Sequence, residues 1–367
     1  MPQAVKFAWQ DSETAWQFST GVSLHGHTMH SEECLSFLPR YLHMAPVISQ
    51  IVESYERGPR PVDFGRAYWT PPLSPSSALR VERKQIENMD LRSFVSLTDH
   101  DNIEAGMSQV DVPVSVEWTV PYERSIFHLG IHNLPPATAR DWMSVFAGFT
   151  GAPDESRLPG ILAELAAIPD VLIVLNHPFW LEEGIVQTDH DRALARILRE
   201  CIVSLHAFEL NGTRLWKENR KVVELARVHE RPLISGGDRH ACEPSACINL
   251  TNAGSFSEFV EEVRAGQSTP YFMPHYREPM TMRILEAAWD ILRPYPGYPG
   301  RERWTDRIFY RGEDGVARPL TQVWRDRTPW IMTAPLDALT GFLQLLTAPG
   351  LRGPMRQILA ERGEILP

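Results

Sequence analysis

Short runs of apolar, mostly β-branched residues, each ending in polar ones, set the rhythm of the first two thirds of the chain. Val22-Ser23-Leu24, Phe94-Val95-Ser96-Leu97, Val114-Ser115-Val116, Val171-Leu172-Ile173-Val174-Leu175 and Leu233-Ile234-Ser235 predict buried strands. Between the later ones, apolar residues recur at helical spacing over 157–168, 191–200, 217–229 and 257–266. Strand and helix alternating in this way predict an α/β fold, a barrel of parallel strands wrapped by helices.

Two stretches break the rhythm. Residues 35–90 read as an insertion after the first strand: a helix-like segment over 35–56, a break at Gly58-Pro59-Arg60-Pro61, a Pro/Ser loop from Trp69 to Ser77, and a charged helix over 78–89. Leaving from that loop, the insertion either roofs a site or decorates the surface. After Met273-Pro274 a helix over 281–292 leads into a Pro/Gly/Tyr-rich segment, a hairpin about Glu313-Asp314-Gly315, and apolar helices over 336–346 and 353–364. The expected division is a barrel over 19–275 and a mostly helical C-terminal extension over 276–367. Those apolar helices would pack on the barrel or join two copies of the chain in a homo-oligomer.

Candidate chemistry gathers where the strands end. His25-Gly26-His27, Thr98-Asp99-His100-Asp101, Asn176-His177-Pro178 and Gly237-Asp238-Arg239-His240 each follow a predicted strand, and Glu117 and His128 lie between the second and third islands. Taken alone, each histidine reads equally as a hydrogen-bonded core or surface residue, and Asn-His-Pro as a turn. Together, neutral imidazoles and carboxylates in this number exceed what one tetrahedral metal site needs. In a parallel barrel the strand ends share one face, where ligands distant in sequence can converge.

These motifs resemble the polymerase and histidinol phosphatase (PHP) superfamily of metal-dependent phosphoesterases, over about residues 20–245. His25-Gly26-His27 followed by Ser31-Glu32, Thr98-Asp99-His100-Asp101, Asn176-His177-Pro178 and Gly237-Asp238-Arg239-His240 stand in the family's order. Val116-Glu117, His128-Leu129-Gly130 and Glu209-Leu210-Asn211-Gly212 lie between them. Glu32 stands where the family has Asp, Glu33 where it has Gly, and Ser23 where an acid often precedes His-x-His. The resemblance implies a distorted (β/α)7-like barrel. It assigns metal ligation to His25, His27, Glu32, His100, Glu117, His128, His177, Asp238 and His240, enough for two or three divalent ions of manganese, zinc or iron.

The implied activity is hydrolysis of a small phosphomonoester by a metal-bound hydroxide at a di- or trinuclear site. Glu117 would be the bridging carboxylate, with Asp238 and His240 beside it in catalysis. Three divalent ions against three carboxylates leave a net charge of about +3, which draws a phosphate dianion into an acidic protein. Arg239 and Arg214 are candidates to hold its outer oxygens, guanidinium matching phosphate bidentately, or else form rim salt bridges. His30 shares a loop with two ligands and is a third candidate for substrate. Thr98, Asp101 and Asn211 are expected to brace the ligands, Cys242 to pack, and His43, His132, His190, His206, His229 and His275 to be structural.

Lys plus Arg number 36 against 46 Asp plus Glu, a net charge of −10. That balance argues against stable nucleic-acid binding, which needs many phosphate-neutralising cations. Four cysteines without a Cys-x-x-Cys pair read as reduced thiols. The N-terminus shows no signal-peptide pattern, and no stretch of about eighteen apolar residues suggests a membrane span. A cytoplasmic enzyme is therefore expected. Two other readings fit: a hydrolase of the amidohydrolase type, which also opens on His-x-His, and a metal-stabilised module without catalysis.

Overall fold

The computed structural model describes residues 5–11, 13–35, 63–182, 184–324, 330–359 and 366, and the chain divides into two compact units. One comprises Met1–His30, Leu73–Arg277 and Arg362–Pro367; the other comprises Ser31–Pro72 and Glu278–Glu361. The division runs through the expected insertion: its part up to Pro72 groups with most of the C-terminal extension, whereas its helix groups with the strands. The helix expected over 35–56 lies, from residue 36 on, outside the described residues, as does His43.

The strands are β1 (Lys6–Phe7), β2 (Thr20–Ser23), β3 (Glu33–Cys34), β4 (Ala67–Trp69), β5 (Arg92–Val95), β6 (Val114–Tyr122) and β7 (Ser125–Leu134). They continue with β8 (Leu172–Asn176), β9 (Ala207–Asn211), β10 (Leu233–Gly236), β11 (Cys247–Thr251), β12 (Thr269–Phe272), β13 (Ile308–Arg311) and β14 (Ala317–Pro319). The first unit holds two sheets, ordered β1-β12-β11-β2-β5 and β10-β9-β8-β7-β6. Their facing sides bury Val22, Leu24, Leu172, Val174, Ala207 and Ile234 together with Phe259 and Val263 of the helix Phe256–Arg264. On the opposite side of the second sheet, Ile173, Leu175, Phe208, Leu210 and Leu233 pack with residues of the helices Ala139–Gly151, Leu158–Ala166, Gln187–Cys201 and Trp216–His229. β8 is therefore buried on both faces, which is why its sequence is one unbroken apolar run.

The α/β class stands, but among the described residues no sheet closes on itself. β6 and β7 form a long antiparallel hairpin where the sequence predicts only the strand over 114–116, and β8 pairs antiparallel to β7. β11 likewise runs antiparallel to both β2 and β12. β8-β9-β10, β2-β5 and the short β1-β12 pair keep the parallel pairing. The two sheets are linked instead by single bridges, Gly26 to Arg239 and His100 to Glu117, within the histidine-bearing segments.

Local signals explain the helices that hold this frame. Pro75–Glu87 begins with Pro75 in its first turn after Ser74, whose hydroxyl accepts from the Ser77 N–H at 3.3 Å. Ser255 caps Phe256–Arg264 in the same way, accepting from the Glu258 N–H.

The second unit contains the sheet β14-β13-β4-β3 and a core of Leu35, Ala67, Trp304, Leu320 and Trp324. The expected hairpin is present as β13-β14, with Gly315 at φ 74° in its turn. Helices occupy Met280–Leu292, Trp330–Leu346 and Pro349–Leu359. Among the described residues no helix is long and apolar enough to cross a membrane.

Candidate metal centre

The polar ends of β2, β5, β8, β9 and β10 and the middle of the β6-β7 hairpin bring eight side chains together around Glu117. Its carboxylate is fully buried and its two oxygens face different imidazoles. Oε2 lies 2.9 Å from His25 Nε2, 3.3 Å from His27 Nε2 and 3.5 Å from His100 Nε2. Oε1 lies 3.1 Å from His177 Nε2 and 3.5 Å from His128 Nδ1, and accepts from Asn176 Nδ2 at 3.0 Å. Asp238 Oδ1 stands 3.7 Å from His25 Nε2, 3.6 Å from His27 Nε2 and 3.5 Å from His240 Nδ1. The His240 and His27 rings stack with centroids 4.0 Å apart.

These distances test whether the donors fit a cation. Two ligands each about 2.1 Å from a metal at tetrahedral angles are about 3.4 Å apart. The separations above bracket that value, and three donor sets within the first unit keep their ligand atoms within 4.8 Å of one another: His25, Glu117 and His177; His25, His27 and Asp238; His100, Glu117 and His128. Glu117 joins two of the three, the arrangement of a bridging carboxylate. The donor chemistry, imidazole with carboxylate, suits a divalent transition metal.

Electrostatics point the same way. Burial pushes the Glu117 carboxyl up, but His25, His100, His128 and His177 outweigh it and hold the acid well below the usual carboxylate range. Asp238, also raised by burial, is held low by His25, His27, Arg214 and His240. Burial keeps His128 well below the ordinary histidine value and so neutral, as a ligand must be. His25 goes the other way: burial lowers it, yet Glu117, Glu209 and Asp238 together raise it well above the ordinary value. Flanked by carboxylates at both ring nitrogens, it carries the positive charge that a cation would otherwise supply.

Backbone strain marks the same residues. His25, His177 and Asp238 have φ of 61°, 25° and 48°, a left-handed region that non-glycine residues enter at a cost of about 1 kcal/mol or more each. Each turns the chain sharply at a strand end, so that His25 and His177 face Glu117 and Asp238 faces His25 and His27. Asp101, φ 49°, secures the His100 loop: its N–H donates to the Glu117 carbonyl and its Oδ1 accepts from Thr119 N, both at 2.9 Å.

Two buried acids beside the cluster were not among the expected ligands, although Glu209 opens the Glu209-Leu210-Asn211-Gly212 element. Glu209 is wholly buried; its Oε1 lies 2.5 Å from His25 Nδ1 and its Oε2 accepts from His177 N and Asn211 Nδ2, both at 3.0 Å. Gly236 makes room for it, since a Cβ there would collide with the Glu209 carboxylate. Glu82, on the helix Pro75–Glu87, is 1% exposed and receives Ser23 Oγ at 2.9 Å and Ser245 N at 3.1 Å. Both acids also interrupt otherwise apolar faces, Glu209 within Ala207-Phe208-x-Leu210 and Glu82 between Leu79 and Ile86, and for Glu82 this is the local trace in the sequence.

Other expected residues sit elsewhere. Glu32 belongs to the second unit, where its half-exposed carboxylate binds Arg311 at 2.8 Å and, with burial, pushes the Tyr68 hydroxyl up to about 12. Its exposure and its cationic partner are those of a surface ion pair. Arg239 does not present its guanidinium to a substrate: it is 5% exposed and donates to Glu82 Oε1 at 2.9 Å, the Ala241 carbonyl at 2.8 Å and the His27 carbonyl at 3.3 Å. Arg214 is closer to expectation, with Nη2 3.3 Å from Asp238 Oδ2 and its guanidinium 3.7 Å above the Trp180 ring. His30 donates its backbone N–H to Thr28 Oγ1 at 3.3 Å and closes the first unit's opening segment. Cys242 packs beside the cluster of Leu73, Ala78 and Leu97.

No protein-family model matches the chain, and no curated protein matches it. Among solved structures it is similar to PsfC from Pseudomonas syringae PB-5123, at 13% identity, 70% of this chain, 93% of that one and a TM-score of 0.36. A candidate metal-dependent phosphoesterase from Bifidobacterium adolescentis ATCC 15703 matches at 14% identity, 53% and 92% coverage and a TM-score of 0.33. An amidohydrolase from Chromobacterium violaceum, solved with sulfate and no metal, matches at 14%, 60%, 87% and 0.34. Likeness this slight carries no argument about activity, so the case rests on the donor geometry.

Proposed function

We propose that the chain is a metal-dependent hydrolase of small phosphomonoesters, resembling PHP-type phosphoesterases built on an opened, barrel-like arrangement of strands. The observation that carries the reading is Glu117, buried between two sets of imidazoles with one oxygen turned to each. Two or three divalent ions, of manganese, zinc or iron, would be held by His25, His27, His100, Glu117, His128, His177, Asp238 and His240. When bound, such ions supply Lewis acidity and bring the pKa of coordinated water toward about 7. The protein's own part is orientation. His240 donates Nδ1–H to the Asp238 carbonyl at 3.0 Å, so the lone pair of the neutral ring is on Nε2. Arg214, steered by Asp238 and Trp180, is placed to hold an outer phosphate oxygen.

A second reading, hydrolysis of a cyclic amide, is favoured by one observation: each guanidinium nitrogen of Arg239, expected at phosphate, donates instead to a group inside the protein. Protein loaded with manganese, zinc or iron, assayed on phosphomonoesters, phosphodiesters and cyclic amides, separates the two. Phosphate release that is abolished by chelation, and cut at least about a hundredfold by Glu117→Gln, is expected. Turnover of amides alone would replace this reading with the second.

A further inference from the structure

We propose that the buried Glu82–Arg239 pair is the positioning element of the metal centre, fixing the two loops that carry His25, His27, Asp238 and His240 against the helix Pro75–Glu87. The inference rests on the metal-dependent reading and gives it a support that no sequence motif marks.

Arg239 lies between two candidate ligands, Asp238 and His240, but its side chain turns away from them. Each branch of its guanidinium reaches a different element: Nε to Glu82 on the helix, Nη1 to the Ala241 carbonyl, and Nη2 to the His27 carbonyl. The backbones of the same loops are laced directly, His27 N to the Arg239 carbonyl at 2.8 Å and Gly237 N to the Leu24 carbonyl at 2.8 Å. Glu82 completes the tie by accepting from Ser23 Oγ, just before His25, and from Ser245 N, just after the second loop.

A buried ion pair is a poor device for stability alone, since desolvating two charges offsets most of their attraction and apolar residues of similar volume serve as well or better. What an apolar pair cannot supply is a planar fork with three directed donors. Such a fork sets where the loop backbones lie, and hence where the imidazoles and Asp238 meet. Partners of this kind, one step removed from the metal, typically govern affinity by about ten- to a hundredfold.

The test uses the full chain, stripped with chelator and titrated with Co2+, in three forms: parent, the double variant E82M/R239M, and R239K. Removing both charges leaves neither unpaired; the chelated double variant should still melt cooperatively, below the parent because Ser245 N and the His27 and Ala241 carbonyls lose their partners. Its Co2+ affinity should fall about ten- to a hundredfold, with an altered d–d absorption spectrum reporting displaced ligands. R239K keeps the charge but not the fork and should show the same spectral change. It decides the matter if the double variant does not fold. Parent-like Co2+ affinity and spectrum in the folded variants would reduce the pair to packing and overturn the proposal. A parent that binds no Co2+ would instead sink the metal-dependent reading, and this inference with it.

Discussion

Glu209 Oε1 lies 2.5 Å from His25 Nδ1, and on the far side of the same ring Nε2 faces Glu117 at 2.9 Å and Asp238 at 3.7 Å. A carboxylate behind an imidazole fixes the tautomer and raises the ring's basicity toward a metal in front of it. Glu209→Gln keeps the shape but weakens that push, so metal affinity should drop by about tenfold or more. Competition with a chromophoric chelator measures it; unchanged affinity would mean that Glu209 only fills space. Because His25 is held protonated, metal uptake should also release a proton and tighten as pH rises.

His190 shows a histidine outside the motifs supporting one inside them. Its Nε2 is 3.0 Å from the Pro178 carbonyl, which can only accept, so Nε2 carries the proton and Nδ1, 2.8 Å from Ser125 Oγ, accepts. The bond pins the turn immediately after His177. A glutamine amide reaches the Nε2 position, whereas asparagine's reaches only Nδ1. His190→Asn should therefore leave the buried carbonyl unpaired and cost about 1 to 3 kcal/mol, while His190→Gln costs less. Thermal melts of the two variants check this, and equal losses would contradict the tautomer.

How much of this was written in the sequence depends on range. Strand β8 and the helices Trp216–His229 and Phe256–Arg264 are legible because their apolar periodicity is local. The ligand islands are legible because imidazoles and acids clustered at strand ends have few other uses. Strand direction is not local: Ser125–Leu134 alternates like any half-buried strand, and only the tight Glu123-Arg124 turn makes it fold back on β6. The partner of Arg239 is not local either, so phosphate and a salt bridge read equally from the sequence. A guanidinium beside two ligands suggests phosphate, and its true partner, Glu82, lies 157 residues away in sequence.

Acid should destabilise the folded chain through histidines buried in neutral form. His206 Nδ1 accepts from Ile173 N at 3.0 Å; burial, with Arg264 and Arg231 nearby, lowers it to about 4. His132, lowered by burial and by His25, is near 3. Since the unfolded chain titrates near about 6.5, it takes up protons first as pH falls. The contribution is thus complete above that pH and is lost progressively between about 6.5 and 4. Chelated protein should melt at a lower temperature at pH 5 than at pH 7. His206→Asn, which offers an oxygen near the Nδ1 position, should recover on the order of 1 kcal/mol of that difference. An identical pH slope in the variant would assign the acid sensitivity elsewhere.

Substrate class is best tested at Arg214, since Arg239 is occupied inside the protein. Arg214 is partly exposed, rests 3.7 Å above Trp180 and is held by Asp238 at 3.3 Å, so its fork is preorganised at the edge of the metal centre. Methionine in its place keeps an apolar stem over the indole and removes every donor. For a phosphomonoester kcat/KM should fall roughly ten- to a thousandfold, about 1.4 to 4 kcal/mol, with metal content unchanged. A cyclic amide presents no dianion to this group, and its hydrolysis should change far less. Parallel assays of Arg214→Met on both substrate classes decide the point: equal losses would make Arg214 a brace for Asp238, and no loss on phosphate would remove it from the substrate site.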